Sequence, residues 1–288
     1  MPVQARLFGV LGDPVDHSLS PAMQNAGFAA CGLPHLYFRW RVSSTELRQA
    51  LREARGLGVG GLNLTVPLKE TVLPLLDELT AEAKRIGAVN TIMWRRGRLV
   101  GDNTDARGFA RALRGRVRLR GARAVVIGAG GSARAIAASL VTGGCREILV
   151  ANRTAARAEA LAAWLRSVGG RDVHVAALEA LRRGAALEGA GLVVNTTPVG
   201  LAGRSLAVRI EATPRRCLVV DLVYGPKPSP FLRAAARAGR PVLDGAPMLL
   251  HQGAFAFEAW TERRAPLAAM ALALRSAGLG LAPMALSP

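Results

Sequence analysis

The stretch ARAVVIGAGGSARAIAASL, running from Ala122 to Leu140, decides the fold. Ala122–Ile127 is a short apolar run with branched residues, the pattern of a strand buried on both faces. Gly128, Ala129, Gly130, Gly131, Ser132 and Ala133 follow at once and fit G-x-G-x-x-G/A. The Ala/Ile/Leu spacing from Ala133 to Leu140 then predicts a helix. Strand, glycine turn and helix in that order are the context a dinucleotide fingerprint requires. Gly128 permits the tight turn, Gly130 lets backbone approach a pyrophosphate, and Ala133 allows close helix–strand packing. The helix N-terminus offers N–H groups and partial positive charge to phosphate. The other reading, an ordinary glycine turn, suits Gly58-Val59-Gly60-Gly61 instead, because that stretch precedes an apolar strand rather than a helix.

Outward from this landmark, Gly143 and Gly144 end the helix and Glu147–Ala151 reads as a second strand. Thr154–Val168 is alanine-rich and helical in pattern, while Leu192–Asn195 and Cys217–Leu222 read as two more buried strands. The alternation describes a parallel, doubly wound Rossmann-type domain over residues 107–240. The first hundred residues also alternate, with strands expected near Arg6–Leu11, Tyr37–Val42 and Gly61–Leu64, as in a smaller α/β unit. Met248 to Ala277 is helical in pattern, interrupted around Pro266, and the tail GLGLAPMALSP is expected to fray.

Composition narrows the function classes. Half of the 288 residues are hydrophobic, enough for a substantial core. No apolar run approaches the roughly 20 residues needed to span a bilayer. The apolar start, Leu7 to Leu11, is cut off by Gly12, Asp13 and Pro14, so it reads as a strand rather than a secretory core, and a cytoplasmic location is expected. Cys31, Cys145 and Cys217 are scattered and odd in number, supporting neither a disulfide framework nor a metal site. The net charge of +18 raises the question of nucleic acid, yet only three of 38 basic residues are lysine, and the arginines are spread along the chain. The densest cluster, Arg111–Arg123, has no aromatic residues interleaved for base stacking, so nucleic acid is not the expected partner. The charge suits attraction of phosphorylated cofactors and carboxylates.

After the second strand the sequence reads Asn152, Arg153, Thr154, Ala155, Ala156, Arg157. An NAD site usually places an acid there for the ribose 2′-hydroxyl. None is present, and two arginines are; a guanidinium can hold a 2′-phosphate by charge-assisted hydrogen bonds, with Asn152 and Thr154 as neutral donors. This favours NADP over NAD. The alternative makes both arginines ordinary solvated charges, Arg157 above all.

Four groups of polar residues in the first part stand at strand ends and in loops, where binding groups concentrate. Ser18 and Ser20 can both turn hydroxyls to an anion, or can cap a helix before Pro21. Lys69, in NLTVPLKE, is one of only three lysines, which hints at a need for an amine that can release a proton; a surface lysine is the alternative. Asn90, in GAVNT, and Asp105, in GDNTD, are the groups expected beside Lys69, with turn and capping roles as alternatives for Asn103 and Asp105.

The blocks HSLSP, NLTVPLKE, GAVNT, GDNTD, GAGGSARA, NRT, DLVY and MLLHQGAFAFEAW occur in the order seen in shikimate dehydrogenases, and in this the chain resembles that family over about residues 6–260. The resemblance implies a two-domain α/β protein: a substrate-binding catalytic domain of residues 1–106 with 241–288, whose C-terminal helices fold back onto the first part, and a Rossmann domain of 107–240, with the active site in the cleft between them. It implies NADPH-dependent, reversible reduction of 3-dehydroshikimate to shikimate, in the biosynthesis of chorismate and aromatic amino acids. Lys69 and Asp105 would be the catalytic pair. Ser18 and Ser20 would bind the substrate carboxylate with Tyr224 nearby, and Thr65, Asn90, Asp105 and Gln252 the ring hydroxyls. Gly128–Ala133, Asn152, Arg153, Thr154 and Arg157 would hold NADP, and Leu222 and Gly245 would line the nicotinamide pocket. The chain departs from the family pattern at Leu64 for Val, Gln24 for His, Ser229 for Thr and Leu222 for Met. A quinate/shikimate dehydrogenase using NAD is the nearest rival. The partner implied is a small molecule, with neither nucleic acid nor membrane, and a homodimer as a possible assembly.

Overall fold

The computed structural model describes residues 4–201 and 205–281. The part of the tail from residue 282 on, where fraying is expected, lies outside the described residues. The chain divides into two compact units, Met1–Gly108 with Leu249–Pro288, and Phe109–Met248. No helix among the described residues is long and apolar enough to cross a membrane.

The first unit holds six strands: β1 (Leu7–Gly12), β2 (Leu36–Arg41), β3 (Gly61–Leu64), β4 (Glu78–Leu79), β5 (Thr91–Arg95) and β6 (Arg98–Asp102). They form one sheet in the order β2-β1-β3-β5-β6-β4. β1 runs parallel to β2 and β3, and β5 antiparallel to β3 and β6. The helices of this part are α1 (Ser20–Ala30), α2 (Leu47–Gly56), α3 (Leu68–Thr71), α4 (Ala81–Ile86) and the start of α5 (Asp105–Leu113). Side chains of β1 alternate between two layers, as the pleat dictates. Leu11 joins Leu47, Leu51, Leu62 and Leu64 in one core. On the other face Phe8 meets Phe28 and Trp260 at ring-centroid distances of 5.0 and 5.2 Å.

The second unit contains β7 (Arg123–Ile127), β8 (Glu147–Ala151), β9 (Asp172–Ala176), β10 (Leu192–Asn195), β11 (Leu218–Asp221) and β12 (Val242–Leu243), with α6 (Gly131–Thr142), α7 (Ala155–Ser167), α8 (Leu178–Arg183) and α9 (Pro230–Arg237). All neighbours in the order β12-β11-β10-β7-β8-β9 are parallel, the doubly wound Rossmann order. Ala124 and Val126 of β7 pack with Ile136, Leu140, Leu161 and Leu165, while Val125 and Ile127 pack with Leu181, Phe231 and Leu232. Burial on both faces is why β7 reads as an unbroken apolar run. Two final helices, α10 (Ala246–Thr261) and α11 (Leu267–Ser276), flank the interruption at Pro266. The charge is unevenly shared: residues 109–248 carry 22 of the 38 basic and only 8 of the 20 acidic residues.

Gly61 is a point of close approach. A Cβ there would stand 2.1 Å from Nε1 of Trp260, whose indole N–H donates to the carbonyl of Ile92. Gly61→Ala is therefore expected to lower the unfolding free energy by about 1–3 kcal/mol, the usual cost of overpacking, read as a shifted denaturant midpoint with unchanged slope.

Candidate active site

Several chain reversals converge at one end of the strands in the first unit's sheet. Register pairs Leu11 with Leu64, Asn63 with Thr91, and Thr91 with Asp102. The ends of β1, β3 and β6 thus lie beside the start of β5, and backbone bonds tie their loops together: Thr65 N–H donates to Leu11, Leu64 to Asn90, Asn90 to Asp102, and Val89 to Lys69. Gly12 lets the first two loops touch, since a Cβ there would lie 2.3 Å from Cγ2 of Thr65.

These reversals, together with α10, bring Lys69 of α3, Asn90, Asp105 at the start of α5, and Gln252 into one hydrogen-bonded group. Lys69 Nζ lies 2.5 Å from Asp105 Oδ2, with side chains 12 % and 4 % exposed. Asn90 Nδ2 donates to Asp105 Oδ1 at 2.8 Å and Thr104 Oγ1 at 2.9 Å, and reaches Gln252 Oε1 at 3.2 Å. Gln252 Nε2 is held by the carbonyl of Leu249. Asn103, two residues before α5, ties down its start: its Oδ1 accepts from the backbone N–H of Asp105 and its Nδ2 donates to Ala88. Buried polar side chains behind Asn90 complete the group. Thr91 Oγ1 and Thr104 N–H donate to Asn90 Oδ1, Asn63 Nδ2 donates to Thr91 Oγ1, and Tyr37 OH donates to Asn63 Oδ1 at 2.7 Å. Sequence reading gave no role to Tyr37, Asn63, Thr91 or Thr104; the available signal was a polar residue near the end of an otherwise apolar strand, which Asn63 is.

Ser18 and Ser20 stand buried at the entry to α1, on the loop that leaves β1. Ser20 does not cap α1, contrary to one of the two readings open for it. It is the first helical residue, Leu19 holds the cap position, and Ser18 Oγ accepts from the Ser20 N–H at 3.3 Å. Thr65 follows β3, half-buried, and its side chain takes part in none of the bonds above. Tyr224 belongs to the second unit.

In the second unit the glycine turn sits at the topological switch point between β7 and β10, where such sheets bind ligands. Gly128 has φ 119°, and a Cβ would lie 2.3 Å from Thr196 Oγ1, so both conformation and space demand glycine. Its N–H donates to Ala151 at the end of β8. Gly130 occupies the cap position of α6 with no side-chain cap, and a Cβ added to it would meet only Arg157 Nη2, at 4.0 Å. Ala133 is buried against the strand. Asn152, Arg153 and Thr154 form the turn after β8, where Asn152 Nδ2 donates to the carbonyl of Thr154, and Arg157 follows on α7. Leu222 and Gly245 meet: a Cβ on Gly245 would lie 2.1 Å from the Leu222 carbonyl oxygen.

A doubly wound sheet with a glycine turn at its switch point, together with a buried amine–carboxylate pair on a separate α/β unit, defines a Rossmann-type oxidoreductase. The family models for the shikimate dehydrogenase substrate binding domain, shikimate / quinate 5-dehydrogenase, and the shikimate 5′-dehydrogenase C-terminal domain match residues 10–92, 110–199 and 245–275. Shikimate dehydrogenase (NADP(+)) of Methanopyrus kandleri is 42% identical over 272 residues, 93% of this chain and 94% of that one. The protein of the same name from Symbiobacterium thermophilum is 44% identical over 277 residues, 94% of each chain. The crystal structure of shikimate 5-dehydrogenase from Thermus thermophilus, in complex with NADP(H) and shikimate, superposes with a TM-score of 0.82 at 42% identity, covering 94% of this chain and 99% of that one. The chain belongs to the shikimate dehydrogenase family.

One carboxyl in the second unit makes the fold pH-dependent. Asp221, at the end of β11, accepts from Asn195 Nδ2, Ser229 Oγ and the Val223 N–H. Burial outweighs these bonds and, with Asp244 nearby, pushes the carboxyl up from 3.8 to about 6. The native state then holds this proton more tightly than the unfolded chain does. The resulting stability is full below the unfolded value and is lost as pH rises through about 6, a span of about 3 kcal/mol. The melting temperature of the wild type minus that of Asp221→Asn should therefore fall as pH is raised from about 4 to about 7. A difference independent of pH would contradict this account of Asp221.

Proposed function

We propose that the protein is an NADP-dependent shikimate dehydrogenase that reduces 3-dehydroshikimate reversibly to shikimate, a step in chorismate and aromatic amino acid biosynthesis. The observation that carries this reading is the buried contact of Lys69 Nζ with Asp105 Oδ2, framed by Asn90 and Gln252.

The second unit suits the coenzyme. The open side of Gly130, the uncapped start of α6 and the nearby Arg157 fit a pyrophosphate. The turn after β8 offers Arg153, Thr154 and Asn152 and no acid, which fits a 2′-phosphate better than a free 2′-hydroxyl. We assign Leu222 and Gly245 to the nicotinamide end. Bound there, the reduced coenzyme supplies a hydride to the ketone carbon.

The chain's own residues handle orientation and the proton. We assign Ser18 and Ser20 to the substrate carboxylate, and Thr65, Asn90, Asp105 and Gln252 to the ring hydroxyls. Asp105 is anchored through both oxygens, one to Asn90 and one to Lys69, so its plane is fixed before substrate arrives. As negative charge builds on the ketone oxygen, the Lys69 ammonium stabilises it and releases a proton to it. In the oxidative direction the neutral amine takes the hydroxyl proton. The substrate is a small molecule, and the cytoplasm is the expected compartment, in keeping with three unpaired cysteines.

Following reduced nicotinamide by absorbance, with shikimate and quinate each paired with NADP and NAD, tests the reading. Turnover strongest for shikimate with NADP is the expected result, and preference for quinate with NAD would replace it by the rival. Lys69→Ala should lower kcat by about 10²–10⁴-fold with NADPH affinity little changed; an unaltered kcat would remove Lys69 from the chemistry. Arg153→Ala should weaken NADPH by about tenfold or more and leave NADH nearly untouched, a split that titration with each coenzyme reads directly.

A further inference from the structure

Asp102 closes β6 directly before the Asn103-Thr104-Asp105 turn and is 6 % exposed. Its Oδ1 accepts from Thr80 Oγ1 at 2.6 Å and its Oδ2 from Arg107 Nη2 at 2.5 Å. Arg107 Nε lies 2.8 Å from Glu82 Oε2, an ion pair without the alignment of a hydrogen bond. The same guanidinium stands 5.1 Å from the centre of the Phe255 ring. One side chain thus spans the end of β6, the first turn of α4, and α10.

Two of these three contacts, Asp102 and Phe255, border the residues assigned to substrate. Asp102 accepts the Asn90 N–H through its own carbonyl and leads into Asp105. Phe255 follows Gln252 by three residues, on the same helix face. Between them, Gly108 packs straight onto α10, where a Cβ would lie 2.7 Å from the Gln252 backbone nitrogen. Asp102 and Glu82 carry like charges, and the titration of Glu82 is pushed up by burial first and by Asp102 as well, against the opposing pull of Arg107 and Arg85. Without the guanidinium, a buried carboxylate would face a second carboxylate with its close cation gone, a situation that strongly favours separation of the two.

We propose that Arg107 is a positioning residue for the reaction: by clamping Asp102, Glu82 and Phe255 it sets the spacing of Asp105, Asn90 and Gln252 without touching substrate itself. This rests on the assignment of those three residues to the shikimate hydroxyls. Arg107→Met, assayed well below its melting temperature, should lose on the order of 10–100-fold in kcat/KM for shikimate, while KM for NADP stays within about twofold. Adding Asp102→Asn removes the repulsion and keeps an acceptor for Thr80, so the double variant should regain most of the loss. Shikimate kinetics equal to wild type, equal losses for both ligands, or no rescue by Asp102→Asn would overturn the proposal. If Arg107→Met does not fold, Arg107→Lys decides, since an ammonium can pair with Asp102 but cannot also span to Glu82 and Phe255. It should show the same ligand split at smaller size, and wild-type values for both ligands would again overturn the idea. A crystal structure of the ligand-free variant reads the proposal independently of substrate identity, through lengthening of the Asn90–Gln252 contact. Wild-type enzyme inactive on shikimate would sink the functional reading alone, whereas an unmoved Asn90–Gln252 contact would sink the role of Arg107.

Discussion

Burying the Asp105 carboxylate is the constraint around which the first unit is arranged. A carboxylate removed from water needs a cation and enough donors to replace its hydration. Asp105 finds the cation in Lys69, from α3, the short helix that follows β3, and a donor in Asn90, from the turn before β5. Its own N–H is taken by Asn103. Each of these partners comes from a different chain reversal, so the sheet must present several loop ends at one end of its strands, with the register that pairs Asn63, Thr91 and Asp102. A one-residue slip in β5 would turn Thr91 to the other face and strip Asn90 of its support.

The second unit answers a different demand, the approach of phosphate to backbone. There the side chains matter by their absence. Gly128 must leave room for Thr196 and Gly130 must leave its outer side open, while Ala133 lets α6 lie against β7. The Thr196 hydroxyl bonds the carbonyl of Ile127 and so fixes the strand end from which the turn departs. The two units thus divide the work by physical type: rigid polar networks in one, shaped backbone in the other.

Most strands that were legible in the sequence are buried on both faces; β2, read near Tyr37–Val42 and found at Leu36–Arg41, is half-exposed. Gly61–Leu64, Glu147–Ala151 and Leu192–Asn195 fall where their apolar runs place them, and Ala122–Ile127 and Cys217–Leu222 are each trimmed by a residue or two. β5 and β6 went unread because their hairpin turns on Arg96 and Gly97, both at positive φ, and arginine is not a residue that announces such a turn. β9 carries polar alternation, and β4 and β12 have only two residues each. Of the polar residues expected beside Lys69 from loop position and order of blocks, Asp105 meets it directly and Asn90 is linked to it through Asp105. The clamp formed by Arg107 was invisible, because one arginine among 35 carries no mark until its neighbours in space are known.

The unequal sharing of charge also acts before any contact is made. The Rossmann unit holds a surplus of 14 positive charges, and the first unit nearly balances its own. Such a field reaches about 10 Å into solvent at 0.1 M salt and much farther in dilute buffer. A highly anionic dinucleotide diffusing past would be gathered toward the half of the molecule that has the fold to receive it, whereas a singly charged acid would feel far less pull. Where the arginines lie thus favours encounters of polyanions with the Rossmann unit.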